Sequence, residues 1–312
     1  MIEQAVKIDA VEKNGSLSNA AASGVERCRN LPYRIFEQEF LKPNKPVIFE
    51  DAIDHWAALG KWTPEFFREN YQHMNIGINN LTMGEFIDEV LASPATQPEN
   101  LPYFRNAAIR EWFPELQKDV DPLPVFMQPN WFNNRLIPAR IREGRTDLFI
   151  GGVGSKFPYL HWDNYHGYAF LFQIYGEKEY IIFPPDQGPL LYPKKNARNV
   201  ANVSTIPDIE NADYDKFPLF LKATPIRCTL KAGEGMFMPA GWWHTAKMLS
   251  PSITVSSNTA NAWNWDALKK DHFAVFPKNP LKALLGHAFL STIQAIESSK
   301  DKLYRNRRLY AS

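Results

Sequence analysis

A mainly β protein with helical flanks, its core an antiparallel sandwich or jelly roll, is the fold class the sequence predicts. Three observations carry it. Six short aromatic and β-branched runs follow about Pro122, at 148–153, 168–175, 179–183, 226–230, 235–238 and 253–258. Clusters of Pro, Gly or Asp/Asn separate them, and no long helical pattern intervenes, as antiparallel rather than parallel strands require. Helix signals cluster before Pro122 and return after Pro280.

The elements read in order. Residues 1–30 are polar, Ala/Ser-rich around 17–24, and read as a loosely held arm. A flank of helices and strand covers 31–122. Pro46 precedes the apolar run Val47-Ile48-Phe49, a short strand. Thr63-Pro64-Glu65 opens a helix: a capping hydroxyl, a proline in the first turn and an acid at the positive helix end. Thr82 with Glu85 repeats that logic for a helix to Leu91, and 109–120 is a third candidate that Pro114 interrupts. The core spans 123–270, with an irregular insertion at 185–224 long enough to be a functional cover. In the C-terminal segment, 271–312, Leu281, Leu284, Leu285, Ala288, Phe289, Ile293 and Ile296 make an apolar stripe on a helix of about 17 residues that ends at 298–301. Such a stripe needs cover, which the chain's own N-terminal helices or the same helix of a second copy would supply, and a twofold dimer is the commonest solution.

Composition narrows the function. Thirty-five Lys+Arg against 34 Asp+Glu give net charge +1, so no global field draws in nucleic acid or an anionic membrane. No stretch approaches 18 uninterrupted apolar residues, and the N-terminus lacks the apolar region of a secretory signal. Cys28 and Cys228 cannot by themselves make a disulfide framework or a thiolate metal site, which fits a reducing compartment, the cytoplasm.

The chemistry gathers around two histidines. In Leu160-His161-Trp162-Asp163 an extended backbone turns residues i and i+2 to one side, so His161 and Asp163 present an imidazole and a carboxylate together. The run from Gly233 through Pro239-Ala240-Gly241-Trp242-Trp243 delivers His244 to a rim. Two imidazoles and a carboxylate leave three positions open on a metal and suit non-haem Fe(II). Each piece alone equally fits a satisfied structural residue. Lys178 follows the turn at Gly176-Glu177: facing inward it would need an anion such as a dicarboxylate, facing outward it would be a solvated hairpin tip.

The runs His161-Trp162-Asp163, Gln173-Ile174-Tyr175-Gly176-Glu177-Lys178, Phe183-Pro184-Pro185-Asp186-Gln187 and Pro239-Ala240-Gly241-Trp242-Trp243-His244 together resemble the JmjC-type cupin hydroxylases. They are most similar to the group containing the asparaginyl hydroxylase factor inhibiting hypoxia-inducible factor. Lys45-Pro46-Val47-Ile48 and Trp62-Thr63 extend the resemblance, which covers roughly 31–265. It implies a double-stranded β-helix core and an oxygenase that uses Fe(II), 2-oxoglutarate and O₂, releasing succinate and CO₂. Its substrate would be a peptide or protein side chain, with N-demethylation and RNA-base hydroxylation as the relatives' alternatives. A cupin that binds metal without 2-oxoglutarate would have no need of Lys178.

By position, His161, Asp163 and His244 would be iron ligands. Lys178 and Tyr103 would hold the distal carboxylate of 2-oxoglutarate, and Asn258 would contact its other end. Tyr103 reads equally as a core aromatic and Asn258 as a strand-end residue. Two departures stand out. The interval from Asp163 to Lys178 is two residues longer than in that group, so the strand start bulges or its loop lengthens. Pro158 replaces a threonine that donates to the co-substrate, leaving Tyr159 or Ser256 for that task. Specificity would come from 185–224, from 130–134, where Trp131 and Phe132 either stack on a peptide or fill the core, and from the Asn164-Tyr165-His166 segment. The family's dimers, formed through C-terminal helices, imply a homodimer here.

Overall fold

The computed structural model describes residues 24–96, 101–137, 146–196, 199–276 and 278–308. Among them run twelve strands: β1 (Glu26–Cys28), β2 (Val47–Phe49), β3 (Phe104–Ala108), β4 (Thr146–Gly151), β5 (Tyr168–Tyr175), β6 (Glu177–Phe183), β7 (Pro193–Lys194), β8 (Val203–Ser204), β9 (Ile226–Lys231), β10 (Gly235–Met238), β11 (Trp243–Met248) and β12 (Ser252–Thr259). One sheet has the order β1-β2-β10-β5-β12-β4-β3, a second β11-β6-β9, and β7-β8 form a small ribbon. The pairings are antiparallel except β1 with β2. This is the predicted jelly-roll core with flanking helices.

β5 shows why its residues form this strand. It lies mid-sheet with both faces covered, so an unbroken apolar run suits it. Tyr168, Phe170, Phe172 and Ile174 pack on the N-terminal helices with Phe36, Phe49 and other apolar residues. Ala169 and Leu171 point the other way, into the layer between the sheets with Tyr180, Ile182, Leu230 and Met236. Each fully buried large side chain contributes ~1.5–3 kcal/mol. β5 turns directly into β6 at Gly176, whose φ of +71° belongs to glycine and where a Cβ would collide with the Pro251 carbonyl.

The predicted helix starts are present. Thr63 Oγ1 accepts from the Phe66 amide at the head of helix Pro64–Tyr71. Thr82 and Glu85 form a reciprocal capping box before Met83–Thr96, the Glu85 amide donating to Thr82 Oγ1 and the Thr82 amide to Glu85. Pro114 splits the third candidate into a helical turn, Ile109–Trp112, and a 3-10 stretch, Pro114–Val120. In the expected arm, residues 1–23 lie outside the described residues, while Glu26–Cys28 is held as an edge strand rather than loose.

Two further differences have local causes. The insertion at 185–224 carries its own apolar cluster, with Leu191, Val200, Ile206, Ile209 and Phe220 packed on Phe183, Trp162 and Trp243. The C-terminal helix does not stop at 298–301 but runs Pro280–Arg308. Ser299 Oγ donates back to the Ala295 carbonyl, Trp131 Nε1 donates to Asp301, and Asn134 Nδ2 donates to Glu297, so the polar run is anchored in helical form. Among the described residues no helix is long and apolar enough to cross a membrane.

Candidate metal and co-substrate site

The two histidine segments meet through their backbones. The His161 amide donates to the His244 carbonyl at 3.1 Å and the His244 amide to the His161 carbonyl at 2.6 Å. Period-two alternation then sends His161 and Asp163 inward while Trp162 is buried against the insertion. Asn202 of the insertion braces this segment, its Nδ2 donating to the Trp162 carbonyl at 2.7 Å and its own carbonyl accepting from the Trp162 amide. His244 is the second residue of β11, a strand rather than a bare rim.

One ligand atom from each of His161, Asp163 and His244 lies within 4.8 Å of the others. Asp163 Oδ1 is 3.7 Å from His161 Nε2 and 4.0 Å from His244 Nε2. The Nδ1 atoms face backbone carbonyls, Tyr159 at 3.4 Å and Trp242 at 3.0 Å, which leaves both Nε2 lone pairs for the cluster. Burial, reinforced by His244, pushes His161 well below its ordinary pKa and keeps it neutral. Asn258 Nδ2 donates to Asp163 Oδ2 at 3.3 Å, on the oxygen away from the imidazoles. This donor set fits a divalent first-row metal with open positions.

Lys178 shares the cavity of about 90 Å³ with the triad, Tyr103, Thr254, Ser256 and Asn258. It is 3% exposed, so it faces inward and is no hairpin tip. Its Nζ donates to Tyr103 Oη at 2.9 Å and Thr254 Oγ1 at 3.3 Å, with the Phe149 and Tyr180 rings 5.3 and 5.4 Å away. Among the described residues no carboxylate pairs with it. Burial therefore lowers its pKa from 10.5 to about 7. The same burial raises the Tyr103 hydroxyl, so that group stays protonated.

Between Asp163 and β5 runs a 3-10 turn, Asn164–His166, with Tyr165 and His166 at φ 61° and 48°. β5 starts without a bulge. His166 Nδ1 sits 2.8 Å from Asp271 on helix Trp265–Val275, which pins the turn. Of the two hydroxyls considered in place of the Pro158 threonine, Ser256 lines the cavity and Tyr159 lines a separate outer groove. Trp131 and Phe132 are buried with Trp265, Leu268 and Ile293, so they fill the core and meet no incoming peptide.

Thr254 escaped the sequence reading. Its signal was there: Ser252, Thr254, Ser256 and Asn258 alternate with Ile253 and Val255, a polar face on a buried strand. Thr254 accepts from Lys178 and donates to Gln173 Oε1, whose Nε2 donates to Ser252, a chain that fixes the lysine's direction.

Comparison with known proteins agrees with this fold. Residues 65–270 match the Cupin-like domain family. Arginine-specific demethylase JMJ20 of Arabidopsis thaliana is 26% identical over 78% of this chain and 59% of its own length. JmjC domain-containing protein D of Dictyostelium discoideum is 27% identical over 70% of this chain and 52% of its own. Lysine-specific demethylase 8 of Xenopus tropicalis is 29% identical over 71% and 49%. The chain spans about half the length of the curated relatives it matches. With a family match over most of its length, the chain belongs to the Cupin-like domain family.

Proposed function

We propose that this chain is an Fe(II)- and 2-oxoglutarate-dependent oxygenase that hydroxylates a peptide or protein side chain. One observation carries the reading: an inward lysine with no carboxylate partner among the described residues shares a cavity with a two-histidine, one-carboxylate cluster. A dicarboxylate co-substrate satisfies both features at once. Bound iron supplies the redox chemistry that couples O₂ to decarboxylation of 2-oxoglutarate, releasing succinate and CO₂. The chain does the rest. Lys178 and the Tyr103 hydroxyl hold the distal carboxylate, Asn258 fixes Asp163 so that Oδ1 faces the metal, and Ala169, Leu171 and Phe157 wall the cavity against water.

Anaerobic titration with Fe(II) and 2-oxoglutarate tests this through the visible metal-to-ligand charge-transfer band. Wild type shows the band, Lys178→Ala loses it and the exposed Lys222→Ala keeps it. A wild type without the band indicates a metal cupin that does not use 2-oxoglutarate. The relatives named as arginine- and lysine-specific demethylases favour N-demethylation as the second reading. Hydroxylation adds 16 Da and keeps the product, whereas attack on an N-methyl carbon ends in loss of 14 Da and release of formaldehyde. The resemblance of the motif runs to the JmjC-type hydroxylases is what supports the former.

The same proposal places the protein in the cytoplasm, where its free cysteines Cys28 and Cys228 stay reduced. It also gives the helix Pro280–Arg308 a second copy as partner. Ile293 of the predicted stripe is buried within the chain, as is Ala283 outside it, but Leu281, Leu284, Leu285, Phe289 and Ile296 are exposed on that helix.

A further inference from the structure

We propose that Arg105 selects the substrate by pairing with an acidic side chain two or three residues from the one that reacts. This rests on the oxygenase reading above. Arg105 sits in a bulge of β3, where the register with β4 slips between Phe104 and Ala107 and Asn106 takes φ 56°. Bulges beside a site re-aim side chains, and here the guanidinium lies over the ring of Phe157, which itself lines the metal cavity. The Arg105 group lies 5.3 Å from the Phe157 ring centroid, and that ring stacks on His161 at 4.4 Å with 12° between planes. A cation thus stands two short spacings from a proposed iron ligand, a reach of two or three extended residues at ~3.3–3.6 Å each.

Its own partners are few. Arg105 is half-buried, and among the described residues no carboxylate lies within ion-pair reach of it. Arg27 and Arg227 each hold a glutamate. A guanidinium offers five N–H donors in a fork that matches a carboxylate, and one aromatic face leaves them unused. Arg105 also lines a groove of about 450 Å³ with Ile76, Ile78, Ala107 and Trp112, and no acidic residue lines it. Tyr103 and Asn106 border both this groove and the metal cavity. The groove therefore offers a peptide one cation at the junction with the chemistry.

The test uses the full chain loaded with Zn(II) and 2-oxoglutarate without oxygen, and two pools of labelled 12-residue peptides matched except for Asp/Glu against Asn/Gln. Wild type binds the acidic pool at least tenfold more tightly by fluorescence anisotropy. Arg105→Met removes the preference and Arg105→Glu shifts it to a Lys/Arg pool, with both variants melting cooperatively. Equal binding of both pools by wild type, or an acidic preference that survives Arg105→Met, overturns the proposal. A separate calorimetric titration of 2-oxoglutarate distinguishes the sources of carboxylate. If Arg105→Met weakens 2-oxoglutarate tenfold and leaves peptide preference intact, the arginine serves the co-substrate and the proposal fails. A wild type that binds no 2-oxoglutarate sinks the oxygenase reading instead.

Discussion

Lys178 is a buried cation with no carboxylate partner among the described residues. Two hydroxyls and three aromatic rings surround its ammonium, and burial brings its pKa from 10.5 to about 7. In the unfolded chain the lysine stays protonated up to about 10.5, so between pH 7 and 10.5 the unfolded state binds more protons. Stability from this group therefore rises with pH across that window, and the full burial cost is felt below about pH 7. Lys178→Met is expected to raise stability of the ligand-free protein at pH 6 by ~1–4 kcal/mol, with the gain fading towards pH 10. Thermal melts across that range check it, and a less stable variant at pH 6 contradicts the account. Asp163→Ala is expected to weaken metal binding by roughly 100-fold or more in equilibrium dialysis. Asn258→Ala, which frees only the outer carboxylate oxygen, weakens it about 10–100-fold. An unchanged affinity in both would remove the triad from the metal site.

At the scale of elements, the insertion is tied to the smaller sheet by charge. Glu210 meets Lys247 at 2.6 Å, Arg227 at 3.4 Å and Lys156 at 3.6 Å, and Glu179 on β6 shares Lys247 and Arg227. Burial alone would raise the Glu210 pKa, but the hydrogen bond and charge of Lys247, helped by Lys156 and Arg227, hold it below the usual carboxylate value. A lowered carboxylate pKa stabilises above its unfolded value of about 4.5 and loses that contribution as pH falls through the folded value. Glu210→Gln should therefore cost ~1 kcal/mol at pH 7 and little near pH 3. It should also speed proteolytic cleavage within 205–217. Equal loss at both pH values would show a packing effect instead. The insertion was expected as a cover; here its Asn202 braces the backbone of Trp162, between the two residues proposed to hold the metal.

For the whole molecule, the proposed homodimer rests on the outer face of the Pro280–Arg308 helix. Its inner face meets Trp131 and Trp265, and five large apolar side chains remain on its other face. A twofold pairing of such helices would cover them. Light scattering at micromolar concentration is expected to give twice the mass of 35.8 kDa. The double substitution Leu285→Glu with Phe289→Glu should bring it down to the single-chain mass. A monomer in wild type, or a dimer that survives the substitution, removes this interface.

The sequence by itself determined what short-range chemistry can encode. Thr82 and Glu85 announce a helix because both partners of the capping box lie within one turn. The β5 run announces a buried strand, and His161-x-Asp163 puts two ligands on one side, because an extended chain alternates with period two. Only the tertiary structure decided what those pieces meet. The backbone pairing of His161 with His244, the inward turn of Lys178, the burial of Trp131 and Phe132 and the contact of Asn258 with Asp163 join residues far apart in the chain. Arg105 carries no sequence signal at all, since it is a bulge and a ring on another segment that give it direction. Local periodicity sets which face a side chain takes, but its partners follow from how distant segments close on a shared core, and no window of neighbouring residues contains that information.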